Sequence, residues 1–269
     1  GFRIWASTLT ATQSKADDAG DTGFNISMGS KANLNGAQAN GCGHHNLLST
    51  SSSIVSAREG VFRNALDDCM VAYAGGVIDA RGADASGAVE NFGCIATRSS
   101  FINFENGVAN GCGMYGIHAN RGSIIDATGA TANNNGSHNV VAFNASIIVF
   151  SEGTAINAGG DNVHANHGSI INARLATLTG ATRNGALAYG NATINLHEAD
   201  LRNAGNRGVE STRGSYVNAQ GANASGAGDN GFSVYNGSLI NAVDTTGTLN
   251  RTPNEVTSNG IIFSGDPAE

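Results

Sequence analysis

The sequence predicts an all-β fold: a β-solenoid of the parallel β-helix type with about 23 residues per turn. Three observations predict it. One motif returns at a fixed spacing. Gly116–Ala132 reads GIHANRGSIIDATGATA, and related stretches begin at Asn162 (NVHANHGSIINARLA), Gly208 (GVESTRGSYVNAQGANA) and Gly231 (GFSVYNGSLINA). Self-similarity at such a period marks a stacked repeat, in which each unit buries its apolar side against the next. The segments between corners are short, alternating and rich in β-branched residues, as in GSIINA, which suits strands and not helices. Finally, glycine is abundant (38) and proline rare (2). Glycine does not fall at every third position, so the chain is not collagen-like, and the density of Gly and Asn disfavours long helices.

Taken in order, turns start at Gly23, Asn46, Cys69, Gly93, Gly116, Asn139, Asn162, Gly185, Gly208 and Gly231. Gly1 opens an earlier turn one residue shorter, and the Cys69 turn carries one extra residue. The last turn carries about six extra, in TLNRTPNEVTSN, before Gly260-Ile261-Ile262-Phe263 restarts the pattern. The chain thus divides into an N-terminal entry turn (1–22), a β-helical repeat domain (23–247) and a C-terminal irregular turn and tail (248–269). It starts inside the pattern, as a trimmed or processed fragment would. Three brief strands per turn are expected.

The second position of each turn is an apolar column running from Phe24 through Leu47, Ile117 and Val163 to Phe232. The tenth runs from Ala32 through Ile78 and Ile171 to Ile240, and the twelfth is mostly Ala, with Leu34, Phe104, Phe150 and Leu196. The eleventh column holds Asn33, Asn103, Asn172, Asn195, Asn218 and Asn241, which predicts a ladder of side-chain amides along one corner. Cys42 and Cys112 share a column where most other turns carry Ala, so the four cysteines read as small buried side chains with free thiols. Glu59, Glu152 and Glu198 share a column whose intervening turns carry Gly36, Gly82, Gly129, Leu175 and Gly221. This alternation allows neighbouring layers to differ in environment, or to belong to different chains of an interwound, triple-stranded trimer.

A net charge of −7 gives no general attraction to nucleic acid or anionic membrane. No run of 18 apolar residues exists, so no membrane insertion is expected. The N-terminus lacks the basic and apolar regions of a signal peptide. There is no phosphate-binding loop, nucleophile elbow or HExxH motif. His44-His45 and His164/His167 lack the further ligands that a zinc site needs, so no metal is expected.

Function in a repeat protein can live where exposed columns keep changing. Four columns do so: the last, third, fifth and sixth positions of the turn. Five of the seven histidines fall there (His45, His118, His138, His164, His167), as do Arg98, Arg121, Arg207 and Arg213, together with Tyr115 and Tyr189. In stacked turns, residues of one column lie about 4.8 Å apart. The result is a cationic, aromatic-bearing strip suited to an extended polyanion. Arg grips carboxylates through paired hydrogen bonds, and Tyr rings can lie against sugar faces. Polar residues on a solenoid's outer face are also common without any function.

The repeats, of the form GxxAxxGSxINAxGAxAxGA in Gly116–Ala132 and Gly208–Ala227, resemble the β-helical tail spikes and tail fibres of bacteriophages, and within them capsule-degrading lyases of the heparosan-lyase type. The resemblance spans about residues 23–247. It implies a homotrimer on a virion tail or otherwise extracellular, in contact with other phage tail proteins, and cleavage of an acidic capsular polysaccharide by β-elimination without a cofactor. Carried onto this sequence, Arg121 and Arg98 would neutralise a uronate carboxylate. His138 or His118 would take the C5 proton, and Tyr115 would protonate the departing oxygen. His164, His167, Tyr189, Arg207 and Arg213 would bind substrate. Only two lysines exist, Lys15 and Lys31, so a site needing Lys beside the groove centre departs from the pattern. Two other readings are open: a glycoside hydrolase using Glu152 and Glu198, about 9.6 Å apart, near the upper end of the inverting separation, and a non-catalytic receptor-binding spike or adhesin. An ice-binding solenoid lacks its regular Thr ladders.

Overall fold

The structure, a computed structural model, describes residues 1–248, 250 and 254–264. It is a parallel β-solenoid with no helix among the described residues. Two twelve-stranded parallel sheets run the length of the molecule. Sheet A begins with Phe2–Trp5 and ends with Glu255–Val256; sheet B begins with Thr8–Thr10 and ends with Ile261–Phe263. Each strand pairs with those of the preceding and following turns.

Register follows the sequence columns. Phe24↔Leu47↔Met70↔Cys94↔Ile117↔Val140↔Val163↔Ala186↔Val209↔Phe232 forms one line in sheet A. The tenth column forms the matching line in sheet B, including Ile125↔Ile148↔Ile171↔Ile194. Both lines point inward and are buried throughout. The third face differs from expectation. Among the described residues only Gln38–Asn40 and Val61–Arg63 pair as strands there; the other turns are joined by single bridges such as Thr131↔Thr154↔Thr177. The Gly, Asn and Asp residues on this face have low strand propensity, which keeps the pairing short.

Within the chain, the inner strands of both sheets pair with the turn before and the turn after. The Glu and Gly members of the alternating column share one conformation: Glu59, Glu152, Leu175 and Glu198 (φ 54 to 59°) are left-handed, as are Gly36, Gly82, Gly129 and Gly221 (φ 66 to 68°). It is a corner position, which glycine occupies without steric cost.

Both ends test the spacing. Phe2 pairs with Phe24 and Thr8 with Lys31, so the first turn is short by one residue. Val61↔Asp84 gives way to Met70↔Cys94, which places the extra residue of the Cys69 turn after Asp84. The C-terminal expectation needs correction. Ser233 pairs with Glu255 and Leu239 with Ile261, so Ile261–Phe263 is the sheet B strand of a turn already begun, not a new turn start. Residues 249, 251–253 and 265–269 of the expected irregular turn and tail lie outside the described residues.

The interior is a single apolar column with Phe24, Phe62, Phe104, Phe150 and Phe232 as its largest members. Volume is balanced within a turn. Where Phe104 and Phe150 replace the usual Ala, Gly107 and Gly153 follow three residues later. A Cβ there would stand 2.7 and 2.6 Å from the rings. All four cysteines are buried free thiols. The amide ladder forms over four turns: Asn241 Nδ2 donates to Asn218 Oδ1 at 2.9 Å, Asn218 to Asn195 at 3.1 Å, and Asn195 to Asn172 at 3.0 Å. Beside it, the outer face of sheet B carries a stripe of exposed apolar side chains, among them Ile54, Phe101, Ile124, Ile170 and Tyr216.

Candidate functional site

Sheet A is longest where the interrupted columns meet. Phe92–Thr97, Tyr115–Asn120 and His138–Phe143 are six-residue strands, against four or fewer elsewhere in the sheet. The extra length brings the last position of the turn into the ladder, with Phe92↔Tyr115↔His138 in register. Outward-facing side chains then meet across neighbouring strands. The Tyr115 ring lies 5.1 Å from Phe92, 5.2 Å from His118 and 5.4 Å from His138. Phe143 packs edge-on against His118 at 5.6 Å and His164 at 5.5 Å, and His138 meets His164 at 5.0 Å. Four residues named from sequence, Tyr115, His118, His138 and His164, therefore form one cluster.

Asp161 anchors it. Its side chain is fully buried, with Oδ2 at 3.2 Å from His164 Nδ1 and 3.6 Å from His138 Nδ1, and Oδ1 at 3.9 Å from Arg183 Nε. Oδ1 also accepts the backbone N–H of Asn184 at 3.1 Å. Burial alone would raise this carboxyl; His164, His138 and Arg183 outweigh it and hold the group below its ordinary value. The Asp161 backbone N–H donates to His138 Nδ1 at 2.8 Å. That bond takes the Nδ1 lone pair and puts the proton of a neutral ring on Nε2.

The histidines differ. Burial lowers His138 to about 4, with Asp161 opposing the shift. His118 falls to about 4 through burial alone, and neither of its nitrogens has a hydrogen-bond partner in the chain. Neutral at pH 7 and enclosed by Phe92, Tyr115 and Phe143, it is the packing centre of the cluster. Both His164 nitrogens are buried and make no hydrogen bond in the chain; Nδ1 lies 3.2 Å from Asp161 Oδ2, close enough for an ion pair. Burial raises the Tyr115 phenol, which stays protonated.

The remaining named residues lie apart. Arg98, Arg121, His167 and Arg213 occupy the left-handed corner after sheet A (φ 50 to 56°) and are exposed. Arg98 lies over Tyr73 at 4.7 Å and Arg213 over Tyr189 at 4.6 Å, with His167 6.2 Å from Tyr189. These form an edge beside the cluster, and Arg121 has no side-chain contact with it among the described interactions. Arg207 is held by Glu210 at 3.1 Å and lies over Tyr235 at 5.4 Å. Glu152 and Glu198 stand at the corner beyond sheet B, on another side of the turn. Sequence reasoning missed Asp161, Arg183, Phe92 and Phe143. Asp161 occupies the same changing column as Tyr115 and His138, which was its available signal.

Among the described residues, two groups place three possible metal-ligand atoms within 4.8 Å of one another: His138, Asp161 and His164, and a second group of His44, His45 and Asp67. The first is the weaker, since His138 Nδ1 already accepts a backbone hydrogen. In the second neighbourhood, burial lowers His45 to about 4 and raises Asp68 to about 7, helped there by Asp67.

No protein-family model matches the chain, and no curated protein matches it. Among solved structures it is similar to a variant of the periplasmic alginate epimerase AlgG, with a TM-score of 0.59 and 10% identity over 97% of this chain and 74% of that one. The likeness shows the fold. A pentapeptide-repeat protein, HetL from the cyanobacterium Nostoc, aligns over 98% of this chain and 92% of its own at 14% identity, but its TM-score of 0.26 carries no argument.

Proposed function

We propose that the chain is a polysaccharide lyase acting on an acidic, uronate-containing glycan. The observation that carries this is the buried Asp161 carboxylate facing His164 Nδ1, with His138 beside it on an aromatic-lined sheet face. A carboxylate that orients an imidazole leaves the far nitrogen as the base. His164 Nε2, covered in the free chain, takes the C5 proton once the side chains over it shift aside. The electron pair forms the C4–C5 double bond as the bond from C4 to the glycosidic oxygen breaks; the neutral His138 ring hydrogen-bonds that oxygen through Nε2–H, and water supplies its proton. Arg183 neutralises the uronate carboxylate, Tyr115 and Phe92 support the sugar, and the Arg98–Arg121–Arg213 edge holds carboxylates along the chain. These roles move the base from His138 or His118 to His164, and place the His138 Nε2–H in place of Tyr115 at the departing oxygen.

Epimerisation is the second reading, favoured by the likeness to an enzyme named for alginate, itself an acidic polysaccharide. It begins with the same proton removal but returns a proton to the opposite side of the sugar. The candidate groups here all rise from one sheet face, which favours elimination. A virion-tail location, a homotrimer and contacts with other tail proteins belong to this proposal through the family resemblance alone.

The test is incubation with a panel of uronate polysaccharides, alginate included, followed by ultraviolet absorbance. A lyase yields conjugated, absorbing ends. Solvent deuterium entering the polymer without new ends identifies an epimerase. Release of saturated ends only overturns both.

A further inference from the structure

We propose that His44, His45, Asp67 and Asp68 form a binding site for a divalent transition-metal ion, separate from the glycan-facing cluster. Two adjacent turns supply it. His44 and His45 close the Gly23 turn, and Asp67 and Asp68 close the next, so folding brings in the ligands that neither histidine has nearby in sequence.

The polar atoms converge. His44 Nε2 is 3.0 Å from Asp67 Oδ2, while His45 Nδ1 is 3.9 Å from the same oxygen and 3.4 Å from Asp68 Oδ2. A zinc ion bound at about 2.0–2.1 Å holds tetrahedral ligands roughly 3.3 Å from one another, and the observed separations bracket that edge. The imidazoles stack at 3.8 Å, so both rings present edges to the carboxylates. Asp21, from the turn before, reaches His44 Nδ1 at 3.5 Å and can fix that ring from behind.

Two further observations point to a ligand and not to a closed polar network. His45 is only 9% exposed, and its Nδ1 has no hydrogen-bond partner although it faces two carboxylates. Each carboxylate is also held from outside the cluster by one oxygen. Asp68 Oδ1 accepts the Phe92 backbone N–H at 3.1 Å, and Asp67 Oδ1 accepts the Asn91 side-chain amide. In both cases the other oxygen is left facing the histidines, as outer partners orient ligands around bound metals. Mixed imidazole and carboxylate donors suit zinc and its first-row neighbours over calcium or magnesium. An ion here would tie the two neighbouring turns together.

Zinc titration of the metal-stripped full chain by calorimetry tests this. The wild type is expected to bind zinc, and His44→Ala, His45→Ala and Asp67→Asn each to lose one equivalent or weaken it at least tenfold. His44 is half exposed, so its removal leaves the core intact, and circular dichroism verifies the fold of each variant. Cobalt in place of zinc should give the intense visible bands of a tetrahedral site in the wild type and lose them in His44→Ala. No zinc uptake by the wild type, or uptake unchanged in a folded His44→Ala, would overturn the proposal.

Discussion

The outer faces of sheets A and B are built on the same 23-residue register, yet they carry opposite chemistry. Sheet B repeats itself. Its outward columns hold Ile54, Ile124, Ile170 and related residues, with Asn172, Asn195, Asn218 and Asn241 in a hydrogen-bonded row. Sheet A breaks its repeat with Tyr115, His118, His138, Asp161 and His164, many of them buried and two with unpartnered nitrogens. A repeated polar residue satisfies its neighbour of the same kind. A varied column cannot, so its groups must find unlike partners or a ligand. Regularity therefore reports stability and irregularity reports chemistry.

The largest expected effect lies on sheet A. His164→Ala should reduce turnover of a uronate glycan by about 10²–10⁴-fold with circular dichroism unchanged, and Asp161→Asn should follow by removing the orienting carboxylate. Activity at wild-type rates in His164→Ala would erase the distinction between the faces. Next comes the inner line of sheet B: Ile171→Ala should destabilise by about 2–5 kcal/mol in denaturant titrations while leaving the specific activity of folded protein intact. Acid should act through sheet A. His118 has its folded pKa depressed to about 4, below the ordinary 6.5, so the unfolded chain binds the proton first. Its contribution to stability is complete above pH 6.5 and is lost as pH falls toward 4. Asp68, raised to about 7, acts in the opposite direction over pH 3.8 to 7. His118→Phe should flatten the acid limb by up to about 1.4 kcal/mol per pH unit, read from midpoints across that window; an unchanged slope would remove His118 from the account. The smallest effect belongs to the amide row: Asn195→Ala should cost about 1 kcal/mol and leave turnover unaltered.

Much of the fold was legible because a solenoid converts sequence spacing directly into register. Phe24 to Phe232 and Ala32 to Ile240 align in the structure as they do on paper. The third face was over-read as a strand, because columns holding Asp84, Thr131 and Asn223 can make one bridge without extending it. The end was misplaced because Ile261-Ile262-Phe263 has the apolar character of either strand, and only the partner Leu239 decides between them. At the site, column reading found Tyr115, His118, His138 and His164. It could not rank them, since basicity depends on which nitrogen meets Asp161 and on burial, neither of which is written in spacing. The same limit hid the partners of His44 and His45, which lie in the next turn.

The most direct test compares wild-type chain, His164→Ala and Asn195→Ala on one uronate glycan, following ultraviolet absorbance and solvent deuterium uptake together. The account predicts proton exchange or elimination in the wild type and Asn195→Ala, and neither in His164→Ala. Wild-type chemistry in His164→Ala, or no change in any acidic glycan with the wild type, would contradict it.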